Sequence, residues 1–250
     1  MPARSARSRA VPRDAVHHPL FARCYARFSV RAETRMGMGR VRERLLAGLS
    51  GRVIEIGAGN GLNFSHYPGT VSEVVAVEPE RVLRQLAVEA ALRAQVPVDV
   101  APGAAEALPV KSEAFDAAVV SLVLCSVRDV PRALSEVRRV LRPGGEVRFF
   151  EHGAGGGRVM AFTQRALDRT LWPPLSGGCH LSRGAGRLAA RGRLHAGALP
   201  ADDDAGERPG AAEFLLRARY GVAPARRRGV VTRSTGAARP RWRRPTRRPS

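Results

Sequence analysis

Between residues 51 and 152 the chain alternates short apolar runs with longer amphipathic ones. "RVIEIG" (52–57), "SEVVAVE" (72–78), "VPVDV" (96–100), "FDAAVVS" (115–121) and "GEVRFFEH" (145–152) are strand-length and rich in Val, Ile and Phe, which predicts five β-strands. The stretch 80–94 reads as a helix. So does "DVPRALSEVRRVL" (129–141), where Val130, Leu134, Val137 and Leu141 share a face and Asp129 stands at the capping position. Strands separated by helices require right-handed crossovers, and so a mostly parallel sheet covered on both faces. The fold class is α/β, doubly wound.

The flanks read differently. Leu20, Phe21, Tyr25 and Phe28, then Val41, Leu45, Leu46 and Leu49, recur at helical spacing, with Gly51 closing the second stripe. The expected organisation is a disordered basic lead-in at 1–16, a helical cap at 17–50 and an α/β domain at 51–183. A basic Arg/Ala/Gly/Pro-rich region at 184–250 follows, expected to be largely disordered. Only 6 of the last 67 residues are Val, Ile, Phe, Tyr or Trp, against 26 of the 100 at 51–150.

Charge follows the same division. The formal net charge of +20 splits into +8 for residues 1–50, +1 for 51–183 and +11 for 184–250, and Lys111 is the single lysine among 42 basic residues. Such a skew fits a GC-rich coding bias, and a basic flank binds polyanions without selectivity, so no specific nucleic-acid partner is expected. No apolar run reaches the ~20 residues of a membrane span. The arginine-rich start lacks an apolar signal region, and the expected location is the cytoplasm. Cys24, Cys125 and Cys179 form no CxxC pair, which argues against a disulfide scaffold or a zinc site.

Candidate chemistry sits where the first strand ends. "VIEIGAGNG" places Gly57, Gly59 and Gly61 ahead of an expected helix, where glycines admit a ligand close to the backbone and a helix start offers N–H groups to an anion. Glu78 closes the second strand, where a carboxylate can accept both hydroxyls of a ribose. A nucleoside-bearing cofactor at the carboxyl edge of the sheet follows. The spacing is GxGxG rather than GxGxxG, which counts against a nicotinamide cofactor.

Together "VIEIGAGNGLNFSHYP", "VAVEP", "AEALPVKSEAFDAAVVSLVLCSV", "EVRRVLRPGGEVRFFEH" and "DRTLWPPLSGGCHLSR" resemble the class I S-adenosylmethionine-dependent methyltransferases. Within them the resemblance is to the UbiE-like type 11 domain, and most of all to the methyltransferase-like thiol S-methyltransferases, over about residues 20–183. It implies a Rossmann-like fold with S-adenosylmethionine as cofactor. Glu55, Gly57, Gly59 and Gly61 would line its methionine end and Glu78 its ribose, with Pro79 beside the adenine. Ala105 and Glu106 would frame the adenine, and Ser121 and Leu122 would floor the site beneath the sulfonium. Asn63 and Tyr67 belong to the first loop; Pro143 and Gly144 match the turn before the fifth strand.

The implied reaction is methyl transfer to a small-molecule acceptor, with a thiol as the leading class. A lipid or quinone acceptor, or a catalytically impaired cofactor-binding protein, stand as alternatives. His152 is the first candidate base and His180 the second. Phe149, Phe150 and Cys125 read as core, Cys179–His180 lacks the further ligands of a metal site, and Tyr25 and Phe28 read equally as lid or as helix packing. After "GGCHLSR" the chain departs from the family, with no β-branched residue between Gly184 and Gly210. A change of reading frame or a divergent tail would produce that break. The expectation is that the last two strands of the sheet are missing or irregular.

Overall fold

The computed structural model describes residues 18–35, 37–152, 158–170, 176–180, 182, 195–198 and 213–219. Two helices, α1 (Pro19–Arg35) and α2 (Met38–Leu46), precede strand β1 (Gly51–Ile56). Strand β2 (Val71–Val77), helix α3 (Arg81–Ala91), β3 (Val98–Ala101), β4 (Phe115–Ser121), helix α4 (Val130–Val140) and β5 (Leu141–His152) follow. Helix α5 (Arg158–Asp168) and strands β6 (His195–Ala198) and β7 (Glu213–Arg219) complete the order.

The sheet runs β3-β2-β1-β4-β5-β7-β6, with β1 to β5 parallel and β7 antiparallel to both neighbours. Strand order reverses between β1 and β4, and ligands of open α/β sheets bind outside the carboxyl ends at such a switch. Period-two alternation divides the strands between two cores. Ile54, Ile56, Val75, Val77, Ala118, Val120 and Phe149 face α4 through Val130, Leu134 and Val137. Val53, Val74, Ala76, Ala117, Val119 and Phe150 face Leu45 and Leu46 of α2 and Ala87 of α3. Each large side chain fully buried here stabilises the fold by roughly 1.5–3 kcal/mol. Phe149 and Phe150 are thus core on opposite faces, as the sequence suggested.

The expected cap at Asp129 forms, and Glu80 caps α3. Asp129 accepts from the Arg132 N–H at 3.0 Å, and Glu80 accepts from the Leu83 N–H at 2.9 Å. Arg148, which the sequence did not single out, is 2% exposed within β5. Its guanidinium donates to the Leu45 and Ala47 carbonyls, both at 3.1 Å, and pairs with Glu146. A cation at the C-terminal end of α2 satisfies otherwise orphaned carbonyls and locks the cap onto the sheet.

Two expectations are corrected. The last two strands are present: β7 pairs with β5 from Glu146↔Arg219 to His152↔Glu213, and β6 pairs with β7. The exposed edge of β5 offers a row of backbone donors and acceptors, and antiparallel pairing satisfies them whatever the strand preference of the added side chains. The lead-in at 1–16 and the rest of 184–250 lie outside the described residues. Second, no α-helix follows the glycine loop. Only a single 3₁₀ turn forms at Phe64–His66, because "SHYPG" brings Pro68 and Gly69 within one turn. Any ligand at this loop therefore meets backbone and side chains rather than a helix dipole.

Candidate active site

The loop after β1 is shaped by its glycines. Gly57 (φ 70°), Gly59 (φ 57°) and Gly61 (φ 78°) are all left-handed, a region that costs other residues about 1–2 kcal/mol. A Cβ on Gly57 would collide with Val123, and one on Gly61 would lie 2.7 Å from the Phe64 ring and 2.8 Å from the Ala90 Cβ. Gly59 is different, since a Cβ there would meet only Tyr25 of α1, at 3.7 Å.

Glu78 sits at the carboxyl end of β2, 5% exposed. One oxygen accepts from the Gly59 N–H at 2.8 Å and the other from the Glu80 N–H at 2.9 Å, so the residue binds the two loops of the site together. Burial pushes its carboxyl up to about 7, against those two hydrogen bonds. A carboxylate has about four acceptor positions, which leaves two for hydroxyls of a ligand.

Glu55, expected at the methionine end of the cofactor, is engaged by other residues of the chain. At 1% exposure, it accepts from Asn63 Nδ2 and from the Tyr67 hydroxyl, both at 2.8 Å. Asn63 Oδ1 in turn accepts from Arg42 of α2 at 2.7 Å, and Arg42 pairs with Glu33 of α1 at 2.9 Å. Burial holds the Glu55 carboxyl up at about 7 despite Tyr67, Asn63 and Arg42. Glu55 therefore fastens the helical cap and the 63–67 turn beneath the loop, with both oxygens engaged.

Across the switch point, Leu122 follows β4 with φ 57° and donates its N–H to the Phe150 carbonyl at 2.7 Å. A bulky residue held left-handed is strained, and such strain clusters at functional sites. Ser121 and Leu122 are half-buried at the edge that faces the glycine loop. Ala105 is buried nearby, whereas Glu106 turns to α4, accepting from the Arg128 N–H at 2.8 Å. Gly144 (φ 81°) lies with Pro143 in the bulged start of β5.

The cap completes the enclosure. The Tyr25 ring lies over Gly59, and Phe21 packs on Gly177, which brings α1 and the turn at 176–180 over the carboxyl edge. Tyr25, read from the sequence equally as lid or as helix packing, stands against the glycine loop, whereas Phe28 is 64% exposed. Cys125 and Cys179 are both buried, and the His180 N–H donates to the Cys125 carbonyl at 2.9 Å. The Cys125 thiol is pushed well above its ordinary value, first by a hydrogen bond with Cys179 and then by burial, so it stays neutral. The His180 ring is tied to the Gly178 carbonyl at 2.8 Å. The His152 side chain lies outside what the structure describes. No cluster of three or more metal-ligating side chains occurs among the described residues. A separate groove of about 660 Å³ runs between α1, residues 60–66 and α3. Of the expected site residues only Gly61 lines it.

Residues 54–149 match the methyltransferase domain family. The human thiol S-methyltransferase TMT1B is 36% identical over 144 residues, covering 55% of this chain and 58% of the relative, so the chain spans somewhat over half the length of that protein. The ubiquinone/menaquinone biosynthesis C-methyltransferase UbiE of Syntrophotalea carbinolica is 30% identical over 170 residues, covering 64% and 70%. Among solved structures, an S-adenosylmethionine-dependent methyltransferase of Thermotoga maritima superposes with a TM-score of 0.52 at 22% identity, covering 80% of this chain and 99% of the other. The glycine loop, the sheet order and these matches agree: the chain belongs to the class I S-adenosylmethionine-dependent methyltransferase family.

Proposed function

We propose that the protein transfers a methyl group from S-adenosylmethionine to the thiol of a small molecule. The observation that carries the reading is the joining of the glycine loop to Glu78 at the switch point, since the Gly59–Glu78 bond supports a nucleoside site there. The likeness to TMT1B, a thiol S-methyltransferase, supports a thiol as the acceptor class. The loop at 57–61, Glu78, Ala105 and the Ser121–Leu122 floor would hold the cofactor, which supplies a methyl already activated on a sulfonium.

The protein's own tasks are then few. Glu78 accepts ribose hydroxyls and sets the register of the cofactor. Leu122, fixed by its bond to Phe150, floors the chamber in which the nucleophile approaches. Tyr25 and Phe21 on α1 exclude water, so that alignment rather than covalent help provides the acceleration. The thiol must lose its proton before attack, because the thiolate is the nucleophile.

Calorimetry with S-adenosylmethionine and S-adenosylhomocysteine, followed by methyl transfer across a panel of thiols, phenols and quinols read by product mass, tests the reading. Cofactor binding with a methylated thiol is the expected result. Binding of neither sulfur compound refutes the cofactor assignment. The more extensive match to UbiE favours a quinol acceptor as the second reading, and C-methylation of a quinol without thiol methylation would establish it.

A further inference from the structure

One buried acid at the carboxyl edge has no part in cofactor binding. Glu151 lies in β5 one residue beyond Phe150, the partner of Ser121 in the parallel ladder. It is 1% exposed. One of its oxygens accepts from two successive N–H groups, Val123 at 2.9 Å and Leu124 at 2.8 Å, and the next amide, that of Cys125, also bears on the carboxylate. These follow the left-handed Leu122, and consecutive N–H groups after such a residue form a concave anion seat. The other oxygen, Oε2, is buried with no hydrogen-bond partner among the described residues. A buried carboxylate oxygen left unpaired is costly, and each native case calls for an explanation.

The surroundings supply one. Glu151 is walled by the loop at 122–127 and by the turn at 176–180, which packs on Phe21 of α1. These are the parts of the chain that cap the site rather than the interior of the sheet. The ionisable groups that bear on it are the Cys179 and Cys125 thiols. Both are low in polarity, and Cys125 stays neutral and so does not compete for the methyl.

We propose that Glu151 is the proton acceptor for the methyl acceptor, with Oε1 anchored on the Val123 and Leu124 amides and Oε2 presented to the incoming thiol. This rests on the methyl-transfer reading. The thiol proton passes to Oε2, the sulfur lone pair forms the new S–CH₃ bond, and the C–S⁺ bond breaks with its electrons returning to the cofactor sulfur. The products are a thioether, neutral S-adenosylhomocysteine and protonated Glu151, which releases its proton to water as product leaves. Burial raises the Glu151 carboxyl to about 7, within the range where a base is both available and effective near neutrality.

The test uses the full chain, saturating S-adenosylmethionine, and two probe thiols of different acidity, thiophenol and 2-mercaptoethanol. Glu151→Gln keeps an oxygen for the two amides but cannot take a proton. Its expected loss with 2-mercaptoethanol is roughly 10²–10⁴-fold in kcat, the usual range for general base catalysis. Thiophenol, already largely ionised at pH 8, loses less than tenfold, and S-adenosylhomocysteine affinity by calorimetry is unchanged. Equal losses with both thiols, or none, overturn the assignment.

The native chain gives a second measurement. Its rate with 2-mercaptoethanol rises with pH and levels off above about 7, whereas a profile that climbs on with free-thiol ionisation overturns the role. Normal cofactor binding with turnover of neither thiol overturns the thiol reading and this role with it. Turnover with equal losses removes Glu151 alone.

Discussion

Tyr67→Phe removes one hydroxyl and nothing else, and its effect on stability should depend on pH. The Tyr67 hydroxyl donates to Glu55 at 2.8 Å inside the fold, and both residues are at most 2% exposed. With Glu55 ionised, the lost bond is one to a charged group, worth about 1.5–3 kcal/mol; with Glu55 protonated it is a neutral bond worth about 1 kcal/mol. Burial has raised the Glu55 carboxyl to about 7 in the folded state, above its unfolded value. The folded chain therefore holds the extra proton between those values. The stability linked to it is fully present below the unfolded value and is lost as pH rises through about 7. Removing Tyr67 takes away a group that holds the Glu55 value down, so the value climbs further and the variant suffers most where the native carboxylate is charged. Urea denaturation at pH 5.5 and pH 8 should show a penalty near 1 kcal/mol at the lower pH, growing to about 2–3 kcal/mol at the higher. A penalty equal at both pH values, or smaller at pH 8, would refute the assignment of a charged, hydroxyl-dependent Glu55.

Three further outcomes are expected. Glu78→Ala should weaken S-adenosylmethionine binding by roughly 1–3 kcal/mol by removing the ribose acceptor, and calorimetry on the folded variant checks it. In the native chain the same affinity should rise between pH 6 and pH 8, as the Glu78 carboxyl, held up to about 7 by burial, becomes ionised and accepts better. Deleting residues 1–16 should leave methyl transfer intact, whereas deleting 1–32 removes Phe21 from Gly177 and Tyr25 from Gly59 and should abolish turnover; full activity in the longer deletion would make the cap dispensable.

The sheet was legible because its information is local. Apolar runs such as 115–121 mark a strand buried on both faces, and caps such as Asp129 stand beside the helices they start. Gly57, Gly59 and Gly61 were legible for the same reason, since a left-handed turn leaves its mark on the residues that make it. The contacts of Glu55, Arg148 and Glu151 were not. Their partners lie on other elements: Tyr67 is 12 positions from Glu55, Leu124 is 27 from Glu151, and Leu45 is 103 from Arg148. A buried acid in a strand signals that a partner exists, but only the folded topology says which. The helix expected after Gly61 failed to form for a local reason, Pro68 and Gly69, that was visible in the sequence.

Strands β6 and β7 show how far the parallel core governs what joins it. The segment 213–219 pairs with β5 along seven positions, although its region is poor in residues that favour strands. The edge it covers is the strand that carries Arg148 inward to α2 and Glu151 to the site. Pairing of β7 therefore protects from one side a strand that the helical cap holds from its face. A single strand thus links the cap, the edge and the proposed base. Displacement of β5 along its axis would be felt at Arg148 and at Glu151 together, because an extended strand transmits register without slack. The cap that closes the site and the acid that would take the proton are held in fixed relation by β5, which accounts for a buried arginine and a buried glutamate only three positions apart in one strand.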